Sequence, residues 1–311
     1  MSTEDSNTSL SPELVAFIHH SLVSLDYSNV QVKVGVAAAG AIVFTALFFL
    51  LHVLFHLTTP VYSGLSLKHK VFWNLAVVRG VYGVFCTVVG SWAIFCHTGL
   101  EKDAVFATTP TSHLAMCVSV GFFVFECTAV TLSDVFFGNF SALLHVHHWL
   151  SLIGFIIVLR TDTGHTIGSK GLILEMSTPF SGVCWTLLRC GLEQGLLWKV
   201  NQFLLVHTFH LRSVAEVLLW YISWKNWDNI WANMPTSLFV VLYLELFLIT
   251  VFMTPYWTYK KSRQMVCPVD WNFEVQAPSP VMSNGVVQNG HESSVRGGAY
   301  AMLNGSNLKQ E

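Results

Sequence analysis

Long apolar runs separated by short polar breaks occupy the chain from about residue 35 to residue 254. A helix needs about 20 apolar residues to cross the hydrocarbon core of a bilayer. The runs predict about seven such helices, over residues 35–56, 71–95, 113–132, 143–159, 171–192, 203–220 and 237–254. The third and fourth are separated only by Asp134 and Asn139 as polar residues, so the pattern defines their bounds least well.

The segments around these runs predict the domain organisation. Residues 1–33 are a polar N-terminal segment, and residues 34–64 are a first membrane helix with its loop. That helix lacks a basic leader and is too long for a cleaved signal peptide. Residues 65–275 form the main membrane domain. Residues 276–311 are rich in Ser, Gly and Asn, so we expect a disordered cytosolic tail.

Composition agrees with an all-α, multipass membrane protein. Hydrophobic residues make up 53% of the chain and charged residues 11%, with mean hydropathy +0.54. Soluble domains carry about 25% charged residues. The net charge of −2 excludes the basic footprint of a nucleic-acid-binding protein. The seven cysteines lack disulfide-framework or CxxC spacing, so we interpret them as small buried apolar residues.

Basic residues predict the orientation in the membrane. Lys260, Lys261 and Arg263 cluster directly after the last apolar run, which places the C-terminus in the cytosol and the N-terminus on the opposite side. Sequons occur at residues 7, 139 and 304, and only Asn7 should carry a glycan. A glycan mapped to Asn139 would reverse the orientation of the third and fourth helices.

Ionisable residues inside the apolar runs predict an enclosed polar cavity. Besides the histidines, these residues are Arg79, Glu126, Glu175, Arg212, Glu216 and Glu245. Each costs about 2.5–3.5 kcal/mol at the centre of a membrane helix, so such groups face the protein interior. Their mixed signs permit internal pairing, and we expect Arg79 to cap a backbone carbonyl or pair with Glu126, and Arg212 to pair with Glu216.

Helical periodicity sorts the histidines onto different faces. His145, His148 and Ser151 follow one stripe, whereas His147 points about 100° away. We therefore expect His148 to line the cavity and His147 to hydrogen-bond a neighbouring helix. On the sixth predicted helix Asn201, Thr208, Arg212 and Glu216 share a face, and His207 and His210 lie on the adjoining one.

Pro179 stands inside the fifth apolar run and should kink it, aiming Glu175 toward the histidines. Imidazoles with a carboxylate are also ligands for zinc or iron. The chain lacks the HxxxH and HxxHH boxes of membrane di-iron enzymes and has few carboxylates here. No metal site is therefore predicted.

Several motifs together match one family pattern. They are Phe72-Trp73-Asn74-Leu75 with Arg79, His147-His148, Glu175 to Phe180, Asn201-Gln202 through Arg212, and Pro255-Tyr256-Trp257-Thr258 followed by Cys267 to Phe273. On these motifs the chain resembles the TLC-domain family of endoplasmic reticulum membrane proteins, over roughly residues 65–275. The match is nearest to the branch linked to neuronal ceroid lipofuscinosis.

The resemblance implies a TLC-type helical barrel or bundle. The ceramide synthase branch uses this fold to N-acylate sphingoid bases from acyl-CoA, with an adjacent histidine pair as its catalytic signature. Carried over, it implies catalytic roles for His147, His148 and Glu175. The residues expected to line or support the cavity are His145, Asn201, His207, His210, Arg212, Arg79 and Glu126. The region from Gly168 to Gly171 lacks the further acidic residues of ceramide synthases.

Three functions stay open at this point. The ceroid lipofuscinosis branch implies a cargo receptor that carries newly made lysosomal enzymes from the endoplasmic reticulum to the Golgi, with a role in lipid homeostasis. The enclosed histidines instead favour an acyltransferase that acts on a lysolipid or sphingoid base, with acyl-CoA as substrate and no resident cofactor. A lipid-binding protein without catalysis needs the cavity alone. The expected partners are lipid, lysosomal enzyme cargo and export machinery, and a homo-oligomer is left open.

Overall fold

The computed structural model of the protein describes residues 19–138, 141–268 and 270, and this part of the chain is helical without a strand. Its α-helices are α1 (Val30–Thr58), α2 (Pro60–Gly64), α3 (Leu67–Phe95), α4 (Pro110–Phe137), α5 (Ala142–Thr161), α6 (His165–Gly171), α7 (Thr178–Arg189), α8 (Leu196–Lys225), α9 (Trp227–Asn233), α10 (Thr236–Leu248) and α11 (Thr254–Val266). Shorter turns are a π-helix His19–Val23, two 3₁₀ helices, Leu100–Lys102 and Leu172–Ser177, and a π-helix Ile249–Met253.

The chain runs between two ends of a helix bundle. At the N end, where α1 begins, Lys33 contacts Asp162, and Asn229 donates to Asp103 at 3.1 Å. At the C end, where α11 finishes, Arg189 pairs with Asp270. These contacts give alternating directions to α1, α3, α4, α5, the α6–α7 stretch, α8 and the α10–α11 stretch. The protein is therefore a multipass helical membrane protein.

Six of these stretches are helices long and apolar enough to span a membrane within the described residues. The fifth predicted helix, over residues 171–192, is instead divided between the 3₁₀ helix Leu172–Ser177 and α7. The last crossing continues to Val266, so Lys260, Lys261 and Arg263 lie on α11 and not after it. A basic residue in the last turn also interacts favourably with the helix dipole.

Local signals fix the ends of α4 and α5. Thr109 caps α4 through a reciprocal pair of hydrogen bonds with Ser112, and Pro110 occupies the first turn. Asp162 closes α5 in the left-handed conformation at φ 50°. Aspartate tolerates this region better than most residues. In the loop between α3 and α4, backbone N–H groups of Phe106 and Val105 lower the pKa of the Asp103 carboxyl.

The sequence predicted that Pro179 kinks the interior of a helix, and this prediction was wrong. Pro179 lies in the first turn of α7, where a missing N–H costs little. The winding changes in the preceding 3₁₀ helix Leu172–Ser177, and a 3₁₀ segment within a helical stretch often marks a functional hinge. Glycines of α3 allow the close approach: a Cβ on Gly90 would lie 2.4 Å from the Ile173 nitrogen, and one on Gly83 would lie 2.7 Å from the Pro179 Cδ.

Close packing of α1 on α4 depends on a glycine, which gives a first prediction. A Cβ on Gly121 would lie 2.5 Å from the Ala37 carbonyl oxygen. Small residues of this kind let membrane helices approach. We expect Gly121→Ala to destabilise the fold by about 1–3 kcal/mol through overpacking. Thermal unfolding of the purified protein in detergent measures this loss.

Gly35→Ala is the matched control, because Gly35 lies on α1, the partner helix of α4, and a Cβ there meets no atom within 4 Å. Alanine favours a helix over glycine by up to about 1 kcal/mol, so the control should unfold at or above the wild-type temperature. Wild-type stability of Gly121→Ala would show that α1 shifts freely on α4.

Some sequence predictions fall outside the described residues. These are the three sequons at Asn7, Asn139 and Asn304, most of the polar segment 1–33, and the tail 276–311.

Candidate functional site

A cavity of about 130 Å³ lies between α3, α4, α5, α6, α8 and α10. Most of its lining is apolar. The polar side chains on its wall are Tyr82, His147, Ser151, Glu175 and Glu245. An apolar chamber with a few convergent polar groups is typical of a small-molecule binding site.

His147 is held in one orientation by α10. Its Nδ1 is hydrogen-bonded to Glu245 Oε1, and Ser151 Oγ donates to the same oxygen at 3.0 Å. An ionised carboxylate only accepts hydrogen bonds, so the proton of the neutral ring lies on Nδ1. The Nε2 atom then carries the lone pair. It faces Glu175, whose Oε1 lies 3.9 Å away.

Glu175 reaches this position through the 3₁₀ helix Leu172–Ser177. Its other oxygen, Oε2, accepts a hydrogen bond from Thr178 Oγ1 at 2.5 Å. The predicted proximity of Glu175 to the histidines is therefore confirmed. The Thr178 hydroxyl therefore orients the Glu175 carboxylate.

His148 does not line the cavity, and the expectation that it would do so was wrong. Both histidines are buried, but His148 Nδ1 points to Glu126 Oε1 at 3.6 Å. The division of roles between the adjacent residues is as expected, with the assignment reversed. Ser151 lies four residues after His147 and three after His148, and the cavity faces the i+4 side.

Arg79 and Glu126 form the predicted ion pair between α3 and α4. Arg79 Nε and Nη2 lie 2.7 and 2.5 Å from Glu126 Oε1. Glu126 is fully buried, at 0% exposure. The pair supports the wall behind His148 and does not reach the cavity.

Three more of the predicted residues join helices to one another or hold a helix face. His145 bonds Asp134 at 2.6 Å across the α4–α5 turn. Asn201 donates to the Phe180 carbonyl at 3.0 Å, which links α8 to α7. Arg212 pairs with Glu216 at 3.3 Å, as predicted.

His207 and His210 do not line the cavity, which corrects the prediction for both residues. They lie on the outward face of α8, where both are exposed. The His207 Nδ1–H donates to the Phe203 carbonyl of its own helix at 2.7 Å. The outward position follows from helix phase, because Arg212 and Glu216 on the adjoining face turn inward.

Sequence reasoning assigned no site role to two residues that the fold brings to His147. Glu245 is the lone carboxylate of its apolar run, which was the available signal. Trp257 stood in the sequence only within the family motif Pro255-Tyr256-Trp257-Thr258. Its ring lies 6.5 Å from the His147 ring, and the Arg212 guanidinium stacks on it at 5.7 Å.

The comparisons with known proteins identify the family. The model of the TLC domain matches residues 72–263, which includes every polar residue of the cavity wall. The chain belongs to the TLC-domain family. No solved structure matches this chain.

The chain is also similar to several curated proteins. The chain is 35% identical to Protein CLN8 of Canis lupus familiaris over 86% of its own length and 94% of that protein. It is 34% identical to Protein CLN8 of Homo sapiens, over 85% of this chain and 93% of the relative. TLC domain-containing protein 4 of Homo sapiens is 22% identical, over 50% of this chain and 59% of that protein.

Proposed function

We propose that this TLC-domain protein is an acyltransferase that moves an acyl chain from acyl-CoA to a lysolipid hydroxyl, with His147 as general base. The observation that carries the proposal is the hydrogen bond between His147 Nδ1 and Glu245, which leaves the basic Nε2 free at the wall of an apolar cavity. A base, a carboxylate that orients it and an adjacent space for substrate are the parts that acyl transfer requires.

The reaction is balanced with these residues. The acceptor hydroxyl attacks the thioester carbonyl while His147 Nε2 takes its proton. The C–S bond then breaks, and the thiolate of CoA leaves with the proton from the imidazolium. Glu245 stabilises that imidazolium while it exists, as a carboxylate does in a catalytic triad. Glu175, 3.9 Å from Nε2, lies where it can accept a hydrogen bond from the acceptor lipid.

The shape of the cavity suits an acyl chain. Along α5 its wall extends from His147 to Val158, a distance of about 16 Å at 1.5 Å per residue. His147 lies about 8 Å from the start of α5, so the polar residues are nearer the C end of the bundle. With a cytosolic C-terminus, the thioester enters from the side where acyl-CoA is found and the chain extends into the apolar part.

The test is direct acylation by the purified protein in lipid nanodiscs. Radiolabelled acyl-CoA is supplied with lysophospholipids in one series and sphingoid bases in another. We expect labelled diacyl phospholipid and little labelled ceramide, because the region from Gly168 to Gly171 lacks the further acidic residues of ceramide synthases. If the folded protein binds lipid but forms no product from any acceptor, the acyltransferase proposal is wrong and a non-catalytic lipid-binding function remains.

The cargo-receptor hypothesis makes a different demand, since transport of lysosomal enzymes from the endoplasmic reticulum requires no free imidazole. Export of lysosomal enzymes in cells that express His147→Gln at matched levels separates the two functions. Normal export with lost acylation would show that a receptor role, where present, is independent of the cavity. Residence in the endoplasmic reticulum belongs to the same proposal and is checked by imaging in these cells.

Glu245→Gln should lower kcat by about 10²-fold, the lower range for general base catalysis, and leave KM nearly unchanged. The glutamine amide removes the charge that stabilises the imidazolium and permits the wrong tautomer, in which Nε2 carries the proton. Initial rates at varied acceptor concentrations measure both constants. A raised KM with unchanged kcat would mean that Glu245 only binds substrate.

A further inference from the structure

A second cluster of ionisable groups lies at the N end of the bundle, away from the cavity. It joins His113 of α4, Asp162 at the end of α5, and His165 at the start of α6. One ligand-capable atom from each residue lies within 4.8 Å of the others. His113 Nε2 is 3.0 Å from Asp162 Oδ1, and His165 Nε2 is 4.0 Å from it. Both imidazoles are buried, whereas the Asp162 side chain is 46% exposed.

The hydrogen bond made by His113 Nδ1, the ring nitrogen directed away from the cluster, determines that Nε2 carries the lone pair. His113 Nδ1 lies 3.0 Å from the Thr109 carbonyl oxygen. A carbonyl only accepts, so Nδ1 carries the proton of the neutral ring. Nε2 then presents its lone pair to a carboxylate oxygen at hydrogen-bond distance. Two acceptors in such contact require a proton or a metal cation between them.

His165 has the same arrangement. Its Nδ1 lies 3.0 Å from Ser112 Oγ, and that hydroxyl donates to the Thr109 carbonyl at 2.9 Å. Because the Ser112 hydroxyl proton is used in that bond, His165 Nδ1 must donate the hydrogen bond to Ser112 Oγ. His165 Nε2 is fully buried and has no hydrogen-bond partner within the described part of the chain. Its lone pair is directed into the cluster.

We infer that His113, Asp162 and His165 form a site for a divalent cation of the zinc type. Imidazole nitrogen with carboxylate oxygen is a donor set that zinc accepts, with water in the fourth position of an open site. Metal-ligating histidines almost always donate their other N–H to a carbonyl, carboxylate or water. Ligand atoms around tetrahedral zinc lie about 3.3 Å apart, so the side chains need only small inward shifts.

The location of the site indicates its role. Asp162 is held at positive φ in the turn between α5 and α6, and His113 lies in the first turn of α4. A bound cation would connect three helices at the end of the bundle opposite the catalytic histidine. The inference is independent of the proposed acyltransferase function, because none of its ligands lines the cavity.

The metal affinity of a Lys33 variant distinguishes a metal site from a polar cluster most clearly. The Lys33 ammonium lies 2.5 Å from Asp162 Oδ1 and donates to the Leu159 carbonyl at 2.8 Å. A metal ion competes with this ammonium for the same carboxylate. Lys33→Met should therefore tighten metal binding by about tenfold. In a merely structural cluster the same change would give no metal affinity to measure.

The experiment is a Co²⁺ titration of the full chain, purified in detergent with a tag free of histidine and stripped with a chelator. We expect one equivalent of Co²⁺ with an intense visible absorption band, and displacement of that band by Zn²⁺. His113→Gln and His165→Gln should each weaken binding by about 100-fold, the upper range for loss of a supporting residue. The matched control, His207→Gln with His210→Gln, removes two exposed imidazoles and should leave the band unchanged.

Metal-free thermal unfolding of each variant separates lost ligation from lost folding. If a histidine variant fails to fold, Asp162→Asn and Lys33→Met carry the test, with opposite expected effects on affinity. Unchanged affinity in folded His113→Gln, His165→Gln or Asp162→Asn would overturn the proposal. Absence of Co²⁺ binding by the wild-type protein and by Lys33→Met would overturn it equally.

Discussion

His147→Gln is expected to lower the rate of acyl transfer by about 10⁴-fold, the upper range for a general base. Glutamine keeps the approximate size of the side chain and a hydrogen bond to Glu245, and it removes the basic nitrogen that faces the cavity. Single-turnover acylation in nanodiscs, at acyl-CoA concentrations above KM, measures the chemical step. Binding of the acceptor lipid should change little, because the apolar wall remains.

His148→Gln is the matched control for this experiment. It removes an equally buried imidazole from the next position in the chain, which points to Glu126 and not to the cavity. We expect its rate to stay within about tenfold of wild type, below the range of general base catalysis. Equal loss of activity in both variants would contradict the assignment of His147 as the base.

Arg79→Met is expected to destabilise the folded protein by about 3–5 kcal/mol. Glu126 has no exposed surface, and its Oε1 accepts both nitrogen contacts of the Arg79 guanidinium. Without the arginine, a buried carboxylate would remain uncompensated or would have to take up a proton. Chemical or thermal unfolding in detergent measures the change, and Arg160→Met, which removes an exposed arginine from α5, should have little effect.

The double variant Arg79→Met with Glu126→Leu tests the cause of that loss. Replacing both partners of a buried ion pair by apolar residues of similar size is often neutral or stabilising. The double variant should therefore recover most of the stability lost by Arg79→Met. Wild-type stability in the single variant would mean that the ion pair contributes nothing to the fold.

The sequence determined the helical architecture and the identity of the polar residues in the membrane. Backbone groups in lipid must be satisfied within helices, so long apolar runs leave little choice of structure. Ionisable side chains in those runs are driven inward, which correctly predicted the pairs Arg79–Glu126 and Arg212–Glu216. The proximity of Glu175 to the histidines was also predicted, but from a kink at Pro179 that the structure does not contain.

Only the tertiary structure decided which polar helix faces line the same cavity. His147 and His148 lie about 100° apart, and periodicity gives relative directions without saying which one meets the cavity. The partner that decides it, Glu245, is 98 residues away on α10. His207 and His210 show the same limit, because their face of α8 turns outward.

The cluster of His113, Asp162 and His165 depends even more on tertiary contacts. Its members come from the start of α4 and from the turn between α5 and α6, and none forms a recognisable ligand motif. Chain composition specifies which residues must avoid lipid, because that cost is local to each residue. Pairing among those residues is set by helix phase, crossing geometry and close backbone contacts such as those at Gly83 and Gly90, which only the assembled bundle fixes.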